Sequence, residues 1–156
     1  MEIFRDGLLW ALWLDDMAAA ARRIAEYPGD DVPERDSDFG PADRAWLMLA
    51  ASLVLETPMS DWHVHEQAIS RARARKPRLL LAALRAISAG DAATLRKSIL
   101  ECVRHHIRTE FSAQTNALHD KLALDASLVC QLASRRGLTI DLPPKERDHI
   151  VDLSVA

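Results

Sequence analysis

Little in this chain is suited to a sheet. Val, Ile and Thr together supply 20 of its 156 residues, against 47 from Ala and Leu. Unbranched side chains lose little rotamer freedom in a helix, whereas β-branched ones favour strands. The imbalance excludes a β-sandwich, a barrel and a Rossmann-type sheet, all of which need repeated Val/Ile-rich strands. Glycine is scarce too: five residues, none in a spaced cluster, which excludes a phosphate-binding P-loop and a dinucleotide fingerprint. Aromatics are 5% of the chain and none lies between Trp62 and Phe111, so a base-stacking platform is missing. The two cysteines, Cys102 and Cys130, each fall within an apolar helical pattern and read as buried reduced thiols. The longest uncharged apolar run, 45–55, is shorter than the roughly 20 residues a bilayer crossing needs. The early stretch GLLWALWL follows Arg5 and Asp6 and meets Asp15 and Asp16 without a cleavage-site pattern, so no signal peptide and a soluble cytoplasmic protein are expected.

What is present is helical periodicity. Trp10, Leu14, Met17, Ala21 and Ile24 recur at spacings of four and three, predicting a first helix over about 3–26. Residues 28–43 carry three prolines and two glycines and read as a loop, its acidic part at 28–40. Pro41 suits a first helical position, and 45–55 is apolar all round, predicting a central helix. Thr57-Pro58 restarts a third helix to about Arg75, and a fourth runs from Pro77 to Ala89, stopped by Gly90. Asp91 caps a fifth helix whose apolar face is Ala92, Leu95, Ile99, Cys102, Val103, His106 and Ile107. A sixth spans about 118–136 and stops at Gly137. Residues 138–142 are extended, and Pro143-Pro144 opens a last helical turn or two. The expectation is an all-α, single-domain bundle of six or seven helices over residues 1–156.

Charge is segregated although the total is only −3. Residues 1–66 carry net −9, 67–108 net +8 and 109–156 net −2. Asp30, Asp31, Glu34, Asp36, Asp38 and Asp43 face only Arg35, while Arg71, Arg73, Arg75, Lys76, Arg78 and Arg85 meet no acid between Gln67 and Gly90. Such a layout is either self-complementary or presents two fields of opposite sign. The near-neutral total gives no global nucleic-acid footprint, and the basic stretch reads as a solvated face rather than a nucleic-acid site.

Six histidines invite a metal reading. On a helix, however, His63 and His65 lie about 200° apart and cannot chelate one ion. His65 falls on the buried side with Trp62, Ile69 and Ala72, His63 with Gln67 and Ser70. His105 and His106 are about 100° apart, and no His-Glu-x-x-His spacing occurs. A hydrogen-bonded core histidine at His65 or His106 is the favoured reading, with no metal, no cofactor and no catalytic residue expected. The acidic loop suits docking to a basic partner. Asp30, Asp31, Glu34, Asp36 and Asp38 form an electrostatic contact set, with Phe39 as an apolar anchor inside the charged rim.

The C-terminal half runs in a recognisable order. A helix stopped by Gly90-Asp91 is followed by LRKSILECVRHHIRTEF, then KLALDASLVCQLASRRG, then TIDLPPKERDHIVDL. This order, over about residues 80–153, resembles the helical immunity proteins of bacterial polymorphic-toxin systems. The aromatic that often follows the extended piece there is replaced by Leu142-Pro143. The resemblance implies a small cytoplasmic protein that binds one cognate toxin domain and blocks it stoichiometrically, without catalysis, cofactor or membrane. Two other readings stay open. One is a metal-dependent helical enzyme using His63 or His65 with His105 or His106 and His119. The other is a ligand-binding or regulatory helical domain, dimeric through the Trp-bearing first helix.

Overall fold

A computed structural model describes residues 17–26, 40–57, 62–111 and 121–151. The chain is all-α. Among the described residues there are seven helices and no strand: α1 (Met17–Glu26), α2 (Pro41–Val54), α3 (His63–Arg71), α4 (Arg75–Ala89), α5 (Ala92–Thr109), α6 (Leu124–Arg135) and α7 (Pro144–Arg147). Two compact units divide at Leu81/Ala82, within α4. The part of the expected first helix before Met17 lies outside the described residues.

In the first unit α2 is the centre. Its start is set locally: Pro41 follows the N-cap Gly40, and the Asp43 carboxylate accepts the Gly40 N–H at 3.1 Å. Ala42, Ala45, Trp46, Leu47, Leu49, Ala50, Ala51 and Leu53 are all buried, so most of the circumference is covered. α1, through Ala21 and Ile24, and α3, through Ile69, pack against it. Small alanines permit close helix packing, and Trp46 is the largest side chain fully buried on α2. α3 is shorter than the sequence pattern predicts. It ends at Arg71, and residues 72–74 form a non-helical link to α4. α4 begins at Arg75, two residues before Pro77. A proline fits that third helical position because first-turn N–H groups have no intrahelical partner.

In the second unit α5 carries the core. Leu95, Ser98, Ile99, Cys102, Val103 and His106 share its buried face, whereas the expected members Ala92 and Ile107 are exposed and half-buried. Its N-cap works as expected, with Asp91 accepting the Thr94 N–H at 3.0 Å and its hydroxyl at 2.6 Å. Those two bonds hold the Asp91 carboxyl below its ordinary value. α6 runs from Leu124, parted from the helical Lys121 by a break at 122–123, and residues 118–120 of the expected sixth helix lie outside the described residues. The Ala123 N–H donates to the His149 carbonyl at 2.8 Å, so this stretch is tied to the C-terminal segment instead of to a preceding turn.

The extended piece 138–142 and α7 are held onto α5 by polar groups. Arg96 Nε donates to the Asp141 carbonyl at 2.8 Å, and Arg104 Nε donates to Glu146 Oε1 at 2.7 Å. Glu146 is buried, and its hydrogen bond with Arg104 pulls its carboxyl below the ordinary range near 4.5. A carboxyl lowered on folding adds stability above that range and loses it as pH falls below. The gap in unfolding free energy between wild type and Arg104→Met should therefore be full at neutral pH and narrow below about pH 4.5, as measured by denaturant titration.

Helices α4 and α6 end alike. Gly90 (φ +69°) and Gly137 (φ +73°) are left-handed, and the next residue bonds back in each case, Asp91 N to Ala86 O and Leu138 N to Ala133 O, both at 2.9 Å. A Cβ at Gly137 would touch nothing within 4 Å, so its cost is backbone alone. Gly137→Ala should lower stability by about 1–2 kcal/mol, read from the denaturation midpoint.

Candidate functional site

Asp30, Asp31, Glu34, Asp36, Asp38 and Phe39, the contact set expected from the sequence, lie outside the described residues, as does His119. The basic stretch does not. Its first part forms the corner where α3 turns into α4. Ala72 is extended (φ −70°, ψ 140°), and Arg71, Arg73, Arg75 and Arg78 are all exposed around it. Arg78 folds back onto the link, with Nε at 3.3 Å from the Ala74 carbonyl and Nη2 at 3.2 Å from that of Arg73. It thereby adds a side-chain donor to two carbonyls of the link. Among the described residues, no ion pair involves the guanidinium of Arg71 or Arg73.

The corner joins the last turn of α3, where Arg71 suits the helix dipole, to the first turn of α4, where a cation does not. A helix N-terminus carries a partial positive charge and favours acids, each worth about 0.3–1 kcal/mol at an exposed site. The first turn of α4 holds no acid and begins Arg75-Lys76. What the corner offers is an anion-seeking surface: exposed arginines, able to grip carboxylates two bonds at a time, beside the positive end of a helix.

The other charged chemistry on the first unit is His65. As the helical spacing requires, it is half-buried on the inner side of α3, while His63 is exposed. Burial and then the nearby charge of Arg44 push the His65 imidazole below its ordinary value of 6.5. The unfolded chain binds that proton more readily, so stability is greatest above pH 6.5 and falls as pH drops below it. Replacing His65 by Gln should flatten the decline in unfolding free energy between about pH 7 and about pH 5, measured by urea denaturation.

The second unit holds a histidine pair that the sequence reading does not contain. His106, buried at the end of α5, has Nδ1 at 3.2 Å from Glu110 Oε2. Its Nε2 is buried without a hydrogen-bond partner among the described residues. An orphaned polar atom of this kind costs about 1–3 kcal/mol. His149 packs against it, ring centroids 6.2 Å apart, and Phe111 sets its ring edge-on to His149 at 4.9 Å. His149 Nδ1 lies 2.9 Å from the Lys121 carbonyl. The favoured reading of His106 as a hydrogen-bonded core histidine thus holds at one nitrogen. His149 is a lone histidine in a short terminal segment, and no helical spacing links it to His106. Among the described residues, no group of three or more His, Cys, Asp or Glu gathers in metal-binding geometry.

No described helix is long and apolar enough to cross a membrane. Comparison with protein-family models, with curated proteins and with solved structures finds no match for this chain.

Proposed function

We propose that this chain is an immunity-type inhibitor, which binds one cognate toxin domain in the cytoplasm of the producing cell and covers its active site or substrate groove. The observation that carries this reading is the corner where α3 meets α4, at which Arg71 and Arg73 are exposed and make no ion pair among the described residues. The segregation of the sequence supports the same reading, since an acidic block and a basic block in one small chain can meet a partner with two complementary fields. The order of the C-terminal elements, which resembles that of helical immunity proteins, supports a toxin domain as the partner.

Inhibition by occlusion requires no chemistry from the inhibitor. It requires fast encounter and slow release. Oppositely charged surfaces raise association rates, and a buried apolar anchor slows dissociation. The acidic set Asp30, Asp31, Glu34, Asp36 and Asp38 with Phe39 fits a cationic groove such as a nuclease presents. The corner at Arg71 and Arg73 fits an acidic rim.

The test begins with capture of a partner from the native host and identification of its C-terminal domain. Affinity is then measured across a salt series for wild type, for Asp36→Lys with Asp38→Lys, and for Arg71→Glu with Arg73→Glu. One near-stoichiometric toxin partner should be found, and at least one charge-reversed pair should weaken binding tenfold or more and reduce its salt dependence. Absence of such a partner, or affinity indifferent to both pairs, would overturn the reading.

A further inference from the structure

We infer that the outer face of α3 and the link after it form one docking surface for an acidic protein segment that carries an apolar side chain near its carboxylates. The inference deepens the inhibitor reading and rests on it only for assigning that segment to a toxin domain.

Residues seven apart on an α-helix are about two turns, or roughly 10 Å, apart along the axis and within about 20° of each other around it. Val64 and Arg71 have that spacing on α3, and Gln67 falls on the same face between them. All three are exposed, whereas the helix buries Ile69 on its other side. Val64 is 58% exposed, against 40% for Phe111, the other large hydrophobic exposed among the described residues. A single exposed valine needs no explanation. This one shares its face with Arg71, and Arg73 follows two residues on, in the link. Neither arginine has an ion pair among the described residues.

The two chemistries need each other. An ion pair in open water gains little, because solvent and salt screen it. An apolar contact beside it excludes water, which strengthens the pair and slows release. Arginine suits the task, since its planar fork grips a carboxylate by two bonds while its stem packs on apolar surface. The link is tied before any partner arrives: Arg78 Nη2 donates to the Arg73 carbonyl at 3.2 Å and Nε to that of Ala74 at 3.3 Å. A tied backbone lowers the ordering cost of binding. The partner's pattern follows from the spacing. It places an apolar side chain against Val64 and, about 10 Å along, carboxylates against Arg71 and Arg73. A helix with leucine two turns from a glutamate pair has that pattern. Nucleic acid fits less well, because no aromatic lies between Trp62 and Phe111 to stack a base and a valine offers nothing to phosphate.

The experiment uses the full chain, labelled with nitrogen-15, and two capped helical peptides of about 15 residues at about 50 mM salt. One peptide carries the leucine and the glutamate pair; the other has serine for leucine at the same net charge. The leucine peptide should shift amide signals of α3 and the link, and it should bind about fivefold or more tightly than the serine peptide. Val64→Ser and Arg71→Gln should each weaken the leucine peptide by about fivefold or more. On Val64→Ser the two peptides should bind alike, the coupling expected of groups in contact. Arg108→Gln, an exposed arginine of α5, should change nothing. All four sites of substitution and contact lie on the surface, and equal thermal midpoints check that each variant is folded. Shifts centred elsewhere, equal binding of the two peptides to wild type, or tighter binding of a thymidine oligonucleotide of matched length would overturn the inference. Those results leave the inhibitor reading standing, because it depends on a captured toxin partner. Absence of that partner removes the toxin assignment and leaves the peptide result to decide the surface.

Discussion

A buried carboxylate needs a cation, and in this chain the second unit is arranged around meeting that need. Glu146 sits on a four-residue helix that could not persist alone, since nucleating a helix of that length is unfavourable in water. Arg104, from the middle of α5, reaches it at 2.7 Å. The pair fixes α7. With α7 fixed, Arg147 bonds Asp141 and the Leu142 carbonyl at 2.9 Å each, and Leu142 turns inward. The chain beyond α7 then runs back along the start of α6, where the His149 carbonyl takes the Ala123 N–H and Ser127 Oγ accepts the Val151 N–H. One ion pair thus decides where the last helix lies, where α6 begins and which residues His106 meets.

Much of this could be read from local rules. Gly90 and Gly137 stop helices because their left-handed φ values cost other residues, and Asp91 caps α5 because its carboxylate reaches the Thr94 N–H. The apolar run 45–55 is central because a helix apolar on all sides has nowhere else to go. Pro77 misled for an instructive reason. A proline marks a boundary only to within a turn, since each of the first helical positions tolerates it. The start of α6 was illegible because it is set by a carbonyl 26 residues away. His149 was invisible for the same reason, as its significance is entirely a matter of what the chain's return brings beside it.

The acidic contact set was legible as composition and no further. Five carboxylates among prolines and glycines state a charge and a turn-rich composition, but give no face and no partner distance. The basic stretch was read as a solvated face, and for Arg71 and Arg73 exposure bears that out. Solvation does not explain why the charge sits at the start of α4. Arg71, in the last turn of α3, suits that helix's dipole, whereas Arg75 stands at the positive end of α4.

Polar groups left unsatisfied are the most informative atoms in an Ala/Leu-rich helical protein. Helices satisfy their own backbone, and short aliphatic side chains ask for nothing more than close packing. Whatever polar chemistry remains inside was kept against the ease of replacing it with another leucine. Glu146 has its cation and Ser127 its backbone partners, so their presence is explained by what they hold together. His106 is explained at Nδ1 only. A leucine would fill its volume on the apolar stripe of α5 without an orphan nitrogen, and a phenylalanine would still pack against His149. What the imidazole adds over either hydrocarbon is its Nδ1 contact with Glu110 at 3.2 Å, which ties the buried end of α5 to the residue that caps it while one nitrogen goes unsatisfied among the described residues.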